Sequence, residues 1–504
     1  MPRRPWLSLP VLLFLAVTLI YPLIRILALG FGRGLAEVLA SPFYWGRLLW
    51  SLEFALGSSF LTLALGLGLG YLFRYAFPGR GVLLAFSMIP FVLPSLVVAL
   101  AFLALLGPQG WLGLDLFGSP YLLFWASAFY NLGLVLRLLL TLLAQLETYL
   151  SAARTLGASS LRAYFRIGIP LLAPALLSSG SLVFLYSFSS LSLPLLLGGQ
   201  RYATLEVEIY TALADELAFH TATALVLLQL FILSGILSLY LYLQVRQTRS
   251  LRPAPLRQLP RGRAWLLSGV VWFFFGLFYS PLIALVLRAF KHPQGFVWIW
   301  TSSNYTPAAQ ALGHTLEFTA LALLGVLPLG VLSALAVGRG HPLELIFLAP
   351  LLVSPVALGL GVLVSYPSWE GKLVLLLGAY ALEAYPLLFR SLLPALRSLS
   401  PSLDEAARLL GASWGRRLLR LQGPLVLPAL RSGLALSAAT MMGEFGATLV
   451  LQRPEWITLP LAIYERLGHP GEHPFIEALA LAVLLSAISG GVVYVLDQGK
   501  GLLG

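Results

Sequence analysis

Twelve apolar runs dominate the chain, each about 20 residues or longer, the length a helix needs to cross a bilayer. They fall near 7–30, 48–73, 82–106, 121–146, 170–197 and 222–244, then near 265–290, 312–337, 343–366, 372–397, 424–451 and 475–496. In hydrocarbon every backbone N–H and C=O must find a partner inside the protein, so only helices or a closed barrel can span. Runs this long select helices. Of the 504 residues 59% are hydrophobic and 10% charged, and the mean hydropathy is +0.88. A soluble domain carries about 25% charged residues. The expected fold class is therefore an all-α membrane protein with twelve transmembrane helices, six in each half. Pro90, Pro94, Pro350 and Pro355 fall inside two runs. Those helices are expected to bend, with neighbours or a cavity satisfying the freed carbonyls.

Net charge is +12, and the cations concentrate in the short segments between runs. With the N-terminus placed inside, twenty Lys and Arg lie in inside segments and eight in outside ones. This bias orients the chain with both termini in the cytoplasm. The same bias accounts for the basic linker 246–264, so nucleic acid is not an expected partner; membrane lipids are. The run at 7–30 exceeds the ~7–15 apolar residues of a signal peptide and is read as a retained span. There are no cysteines, which excludes disulfides and thiol chemistry.

One polar loop occurs twice. Residues 147–176, ETYLSAARTLGASSLRAYFRIGIPLLAPAL, return 254 positions later as 401–430, PSLDEAARLLGASWGRRLLRLQGPLVLPAL. Without a gap, Ala153 falls on Ala407, Arg154 on Arg408, Leu156 on Leu410, Gly157 on Gly411, Arg166 on Arg420, Pro170 on Pro424 and Pro174 on Pro428. Each copy reads as a short helix, a glycine turn and a second basic helix, lying on one membrane face. Six spans per half keep the two copies parallel, related by a pseudo-two-fold about the membrane normal. The expected divisions are 1–47 (first span and loop), 48–245 (first domain), 246–264 (linker), 265–310 (span and loop) and 311–497 (second domain).

The second copy carries Glu405-Ala406-Ala407-Arg408-Leu409-Leu410-Gly411, which resembles the EAA motif of type I ABC importer permeases. The first, Ser151-Ala152-Ala153-Arg154-Thr155-Leu156-Gly157, departs from it by having Ser151 in place of Glu. The resemblance covers about 48–245 and 311–497. The fused form is similar to the permeases of thiamine and ferric-iron importers. The residues 110–112 (GWL), 129–131 (FYN) and 204–210 (TLEVEIY) are similar to the thiamine type. The stretches 443–449 (GEFGATL) and 458–464 (TLPLAIY) are shared with molybdate and sulfate permeases too. The resemblance implies that each loop is a coupling helix docking on an ATP-binding subunit. Ser151, Ala152, Ala153, Arg154 and Gly157, with Glu405, Ala406, Ala407, Arg408 and Gly411, would make that contact. Small residues at 153 and 407 are expected to let the partner approach closely. The implied partners are two ATP-binding subunits, a homodimer, and an extracytoplasmic solute-binding protein, all at a bacterial cytoplasmic membrane.

Intramembrane polar residues are functional candidates by default. Glu444 lies in the run 424–451 opposite Ser190 at the repeat offset, and Asn131 lies in the run 121–146. Both are candidates for the translocation path. Glu53 and Glu317 stand near the starts of their runs. Arg137 and Arg390 are read as buried pairs or as snorkelling cations. The outside acids Glu206, Glu208, Asp215, Glu216, Glu455, Glu465 and Glu472 are candidates for meeting the binding protein. The six histidines show no metal-ligand spacing, and His469 to His473 is placed on a loop by its Pro and Gly. With no GxxxxGK[ST] stretch, ATP is expected on partner subunits and no cofactor in this chain. No catalytic set stands out, so an enzyme is not expected. The alternative reading is an ion-driven secondary transporter, which would favour intramembrane acid pairs and would not need matching loops.

Overall fold

The computed structural model describes residues 5–247, 256–337 and 343–497. Arg3, Arg4, Arg249, Arg252, Arg339, His341, Lys500 and linker residues 248–255 lie outside the described residues. The described chain is helical almost throughout, its β structure confined to an isolated bridge between Tyr75 and Arg257. Among the described residues nine helices are long and apolar enough to cross a membrane, and three bent pairs bring the number to twelve when each pair counts as one span. In chain order they are α1 (Trp6–Gly30), α2 (Pro42–Phe73), α3 (Arg80–Val92 and Ser95–Leu106), α4 (Pro120–Thr155), α5 (Leu161–Phe188), α6 (Phe219–Gln247), α7 (Arg261–Phe278 and Ser280–Lys291), α8 (Ala308–Ala336), α9 (Leu343–Leu352 and Pro355–Ser365), α10 (Leu373–Ser398), α11 (Trp414–Met442) and α12 (Glu472–Asp497).

The bends at α3 (102°) and α9 (95°) fall at the prolines. Leu93 before Pro94 and Ser354 before Pro355 are extended, with ψ of 146° and 156°, because a proline ring disfavours helix for the residue ahead of it. Ser354 then caps the second segment of α9 by accepting from the Ala357 N–H at 3.2 Å. A third bend, 55° in α7 at Tyr279, was not expected from the sequence.

Two expected spans end early. The run 170–197 is α5 to Phe188 and then a separate helix, Ser192–Leu197; the run 424–451 is α11 to Met442 and then Gly446–Leu451. Hydropathy is continuous across both breaks. It reports transfer to an apolar medium and is blind to a turn whose polar groups are satisfied by neighbours.

The repeat is visible in matching local solutions. Ser51 on α2 donates to the Arg47 carbonyl and accepts from the Leu205 N–H, each at 2.7 Å. Thr315 on α8 donates to the Ala311 carbonyl at 2.7 Å and accepts from the Leu459 N–H at 2.8 Å. Each hydroxyl thus seats the first N–H of a short helix that precedes the last span of its half. Within each copy of the doubled loop, after its glycine turn, the helix widens to i→i+5 turns, at Tyr164–Gly168 and Leu418–Gln422. Pro170 and Pro424 follow, and a proline ring crowds the carbonyl four residues earlier.

The first span of each half packs across the repeat boundary. From α1, Phe14 meets Tyr385 with ring centroids 6.2 Å apart, and the Val17 carbonyl accepts from the Tyr366 hydroxyl at 2.7 Å. From α7, Phe278 meets Phe129 at 4.8 Å, and Ser268 donates to the Pro78 carbonyl at 2.8 Å.

Candidate functional sites: a doubled loop and a central cavity

The two loops share a turn but not an approach to it. In the second copy, Pro401–Leu409 is a separate helix because Ser400, ahead of Pro401, is extended (φ −64°, ψ 127°). Glu147 occupies the aligned position in the first copy. There α4 runs unbroken for 36 residues to Thr155. The expectation of a separate short helix is corrected for that copy. Both turns then close alike. Gly157 (φ +87°) and Gly411 (φ +74°) are left-handed, with open space where a side chain would stand. Ala158 and Ala412 donate to the carbonyls of Ala153 and Ala407, each at 3.0 Å.

Ser151, Ala152, Arg154, Glu405, Ala406 and Arg408 are exposed. Ala153 and Ala407 are not: Ala153 is buried and Ala407 half-buried. They lie deeper in the turn than their exposed neighbours. The two loops are braced by different chemistry at equivalent positions. Leu150, Ala153 and Ala163 pack in one apolar cluster in the first. In the second, Asp404 replaces Leu150 and Arg417 replaces Ala163, with Arg417 Nε 3.2 Å from the Asp404 carboxylate and Gln422 donating to it at 3.0 Å. The outward face carries residues not singled out from the sequence. Leu156 and Leu410, one before each glycine, are both 88% exposed, and Phe165 and Leu419, also equivalent, are exposed. An apolar residue recurring in a polar loop was the signal available.

A cavity of about 230 Å³ lies where four interruptions of helix converge. Its wall includes Pro94 at the α3 bend, Val353 and Pro355 at the α9 bend, Ser189 and Ser190 after α5, and Gly443 to Phe445 after α11. Non-helical backbone at membrane depth is tolerated where it lines a cavity. Gly443 permits the contact between halves: a Cβ there would stand 2.9 Å from Cα of Pro94.

Asn131 and Glu444 both line this cavity. Asn131 is 1% exposed; its amide donates to the Ser127 carbonyl at 2.9 Å, and its Oδ1 has no hydrogen-bond partner. Glu444 sits in a helix break, not in a continuous span. Its carboxylate accepts from the N–H groups of Ala447 (2.7 Å) and Thr448 (2.9 Å) and from the Thr448 hydroxyl, capping the helix Gly446–Leu451. Glu383, on α10, also lines the cavity and accepts no hydrogen bond shown among the described residues. As the one acid within the run 372–397, it was legible as an intramembrane charge and was passed over. Arg390 donates to the Tyr240 hydroxyl at 3.0 Å and also bonds Tyr186. Arg137 is half-buried and engaged as well. Glu53 and Glu317 are exposed on α2 and α8, away from the cavity wall.

The outside acids divide. Asp215, Glu216, Glu455 and Glu472 are exposed and Glu465 half-buried, but Glu206 and Glu208 are buried and cannot meet a partner in this conformation. Glu208 pairs with Arg47 at 2.8 Å. Glu206, in the helix Leu205–Ala214 outside the spans, accepts from Gln229 Nε2 at 2.5 Å. Burial pushes its carboxyl up to about 7, against the opposing pull of hydrogen bonds from Gln229 and Ser354. His473 is not on a loop: it lies in the first turn of α12, stacks on Trp298 and faces Glu477 at 3.2 Å.

Residues 62–248 match the family described as binding-protein-dependent transport system inner membrane component. The chain is 32% identical over 248 residues to a putative 2-aminoethylphosphonate transport system permease protein of Salmonella typhimurium, covering 46% of this chain and 92% of that protein. It is 25% identical over 471 residues to a thiamine transport system permease protein of Haemophilus influenzae, covering 88% and 86%. It is 32% identical over 211 residues to a molybdenum transport system permease protein of Escherichia coli, covering 36% and 90%.

Proposed function

The chain belongs to the binding-protein-dependent transport inner membrane component family, the permeases of ABC importers for small solutes, and from that premise we propose how its two loops and its cavity divide the work. Each loop is a coupling element, read as EAA-type, gripping an ATP-binding subunit. Two such subunits, a homodimer, hydrolyse ATP outside this chain. An extracytoplasmic binding protein delivers the solute. Both loops and both termini face the cytoplasm. The solute is of the thiamine or ferric-iron class ahead of molybdate- or sulfate-type oxyanions. Supporting the thiamine class, the thiamine permease relative aligns with both halves at once, over 88% of this chain.

The single observation carrying the coupling role is the pair Leu156 and Leu410, 88% exposed at equivalent places in the two turns, with Leu409 89% exposed beside the second. Exposed apolar groups on a charged surface mark a contact site. A permease of this kind needs two arrangements of its spans and a lever that biases them, and a partner shifts the balance only through contacts that differ between the two. The left-handed glycines keep each lever a compact, sharply reversed turn. The experiment is co-purification with the cognate ATP-binding subunit together with ATP-driven uptake. Gly157→Trp with Gly411→Trp is expected to abolish coupled uptake while the chain still inserts. Normal uptake by that double variant rejects the docking role.

A further inference from the structure

We infer that the central cavity is a binding site for an organic monocation, selected by acceptor groups and an aromatic wall and closed to oxyanions. The inference rests on the importer reading and names the solute chemistry of its path. Three observations carry it. First, Asn131 lines the site and is 1% exposed, and its Oδ1 has no hydrogen-bond partner among the described residues. A buried acceptor left unpaired costs about 1–3 kcal/mol, so its natural complement is a donor brought by the ligand. Second, the ionisable groups that bring acidity to the wall are Glu383 and Glu444, and among the described residues no Lys, Arg or His lines it. Arg390 stands behind the wall with its guanidinium bonded to Tyr240 and Tyr186. Third, Phe91 packs against Tyr130 (centroids 5.6 Å apart) and Tyr186 (5.7 Å), giving the wall a cluster of ring faces.

These features discriminate between solute classes. An oxyanion would find hydroxyl donors in the wall, such as Ser189, Ser190 and Thr440, but no cation to offset its charge, and it would lie beside two acidic side chains. A cation supplies the donor that Asn131 Oδ1 and Glu383 lack, and ring faces attract it further, by up to about 2 kcal/mol when desolvated. At about 230 Å³ the space far exceeds the ~10–15 Å³ needed for one water. That favours a small organic molecule over a bare ion. The two halves contribute unequally: at the repeat offset Tyr186 answers to Thr440 and Ser190 to Glu444, so the first half brings rings and the second brings charge. A single asymmetric ligand lying across the interface fits that division.

The test is thermal denaturation of the purified full chain with tetramethylammonium, N-methylpyridinium and 1-methylnicotinamide as cations, nicotinamide as a neutral isostere, and methylphosphonate, molybdate and ferric citrate as rival chemistries. A ligand that binds only the folded chain raises the midpoint. The organic cations are expected to raise it, 1-methylnicotinamide well above nicotinamide. Glu383→Gln and, separately, Asn131→Ala are expected to weaken that response about tenfold or more, while Glu37→Gln, at an exposed pair with Arg33, leaves it unchanged. A response to phosphonate, molybdate or ferric citrate without one to the cations overturns the assignment. So does equal stabilisation by nicotinamide, an unaltered cation response in Glu383→Gln, or no response to any cation. Each of those leaves the coupling of Gly157 and Gly411 to ATP-driven uptake standing. Cation binding by a chain that never couples to an ATP-binding subunit defeats the importer reading instead.

Discussion

Asp404 and Arg417 on one loop, against Leu150 and Ala163 on the other, show two solutions to one packing problem. The ion pair is nearly out of water, with side-chain exposures of 16% and 9%. Breaking such a pair by removing one partner costs more than replacing both with apolar groups. Asp404→Ala is therefore expected to destabilise by about 1–3 kcal/mol. The double change Asp404→Leu with Arg417→Ala, copying the first loop, should recover most of that. Thermal melts of the single and double variants check it, and a double variant no better than the single would refute the equivalence. The same reasoning separates Glu444 from Glu383. Both are acids in apolar runs, and only tertiary structure shows one spent on capping a helix and the other without a hydrogen bond to its carboxyl group among the described residues.

At the scale of elements, the prolines at α3 and α9 and the proline opening the second loop's helix were all legible, because a proline constrains the residue before it wherever it occurs. The unbroken α4 was legible in principle too, from Glu147 standing opposite Pro401. The breaks after α5 and α11 were not, since they fall within runs that average as apolar; after α11 the freed N–H groups of Ala447 and Thr448 are taken by the Glu444 carboxylate. The hydroxyls of Ser51 and Thr315 join spans to the short helices Leu205–Ala214 and Leu459–Leu467. Each is buried between a carbonyl and an N–H. Ser51→Ala or Thr315→Val strands a buried N–H, and each is expected to cost about 1–3 kcal/mol. Hydrogen exchange at Leu205 or Leu459 should accelerate in the matching variant and stay slow in the other. Acceleration at both sites in either variant would show that the loss is global.

For the whole molecule, Glu206 links the halves: its partner Gln229 lies on α6, and Ser354 at the α9 bend donates to Gln229 at 3.4 Å. Its carboxyl sits near 7 in the folded chain against an ordinary 4.5. The folded state thus holds a proton that the unfolded chain has already released between those values. Stability is expected to fall as pH rises from about 4.5 towards about 7, by at most about 1.4 kcal/mol per pH unit, and to level off above. Glu206→Gln should flatten that part of the profile. A denaturation series from pH 5 to 8 decides it, and an equally steep slope in the variant would place the titration elsewhere.

Hydropathy and the repeat by themselves determined the twelve apolar runs and roughly where they lie, the parallel halves and the left-handed glycines, because each follows from transfer energy or from backbone sterics within a few residues. Tertiary structure alone decided what those spans enclose. The exchange of α1 and α7 between halves, the deeper placement of Ala153 and Ala407, the burial of Glu206 and Glu208, and the meeting of four helix breaks around Asn131 and Glu383 all join residues tens to hundreds of positions apart. No local propensity encodes such a contact; it exists only once the helices have packed.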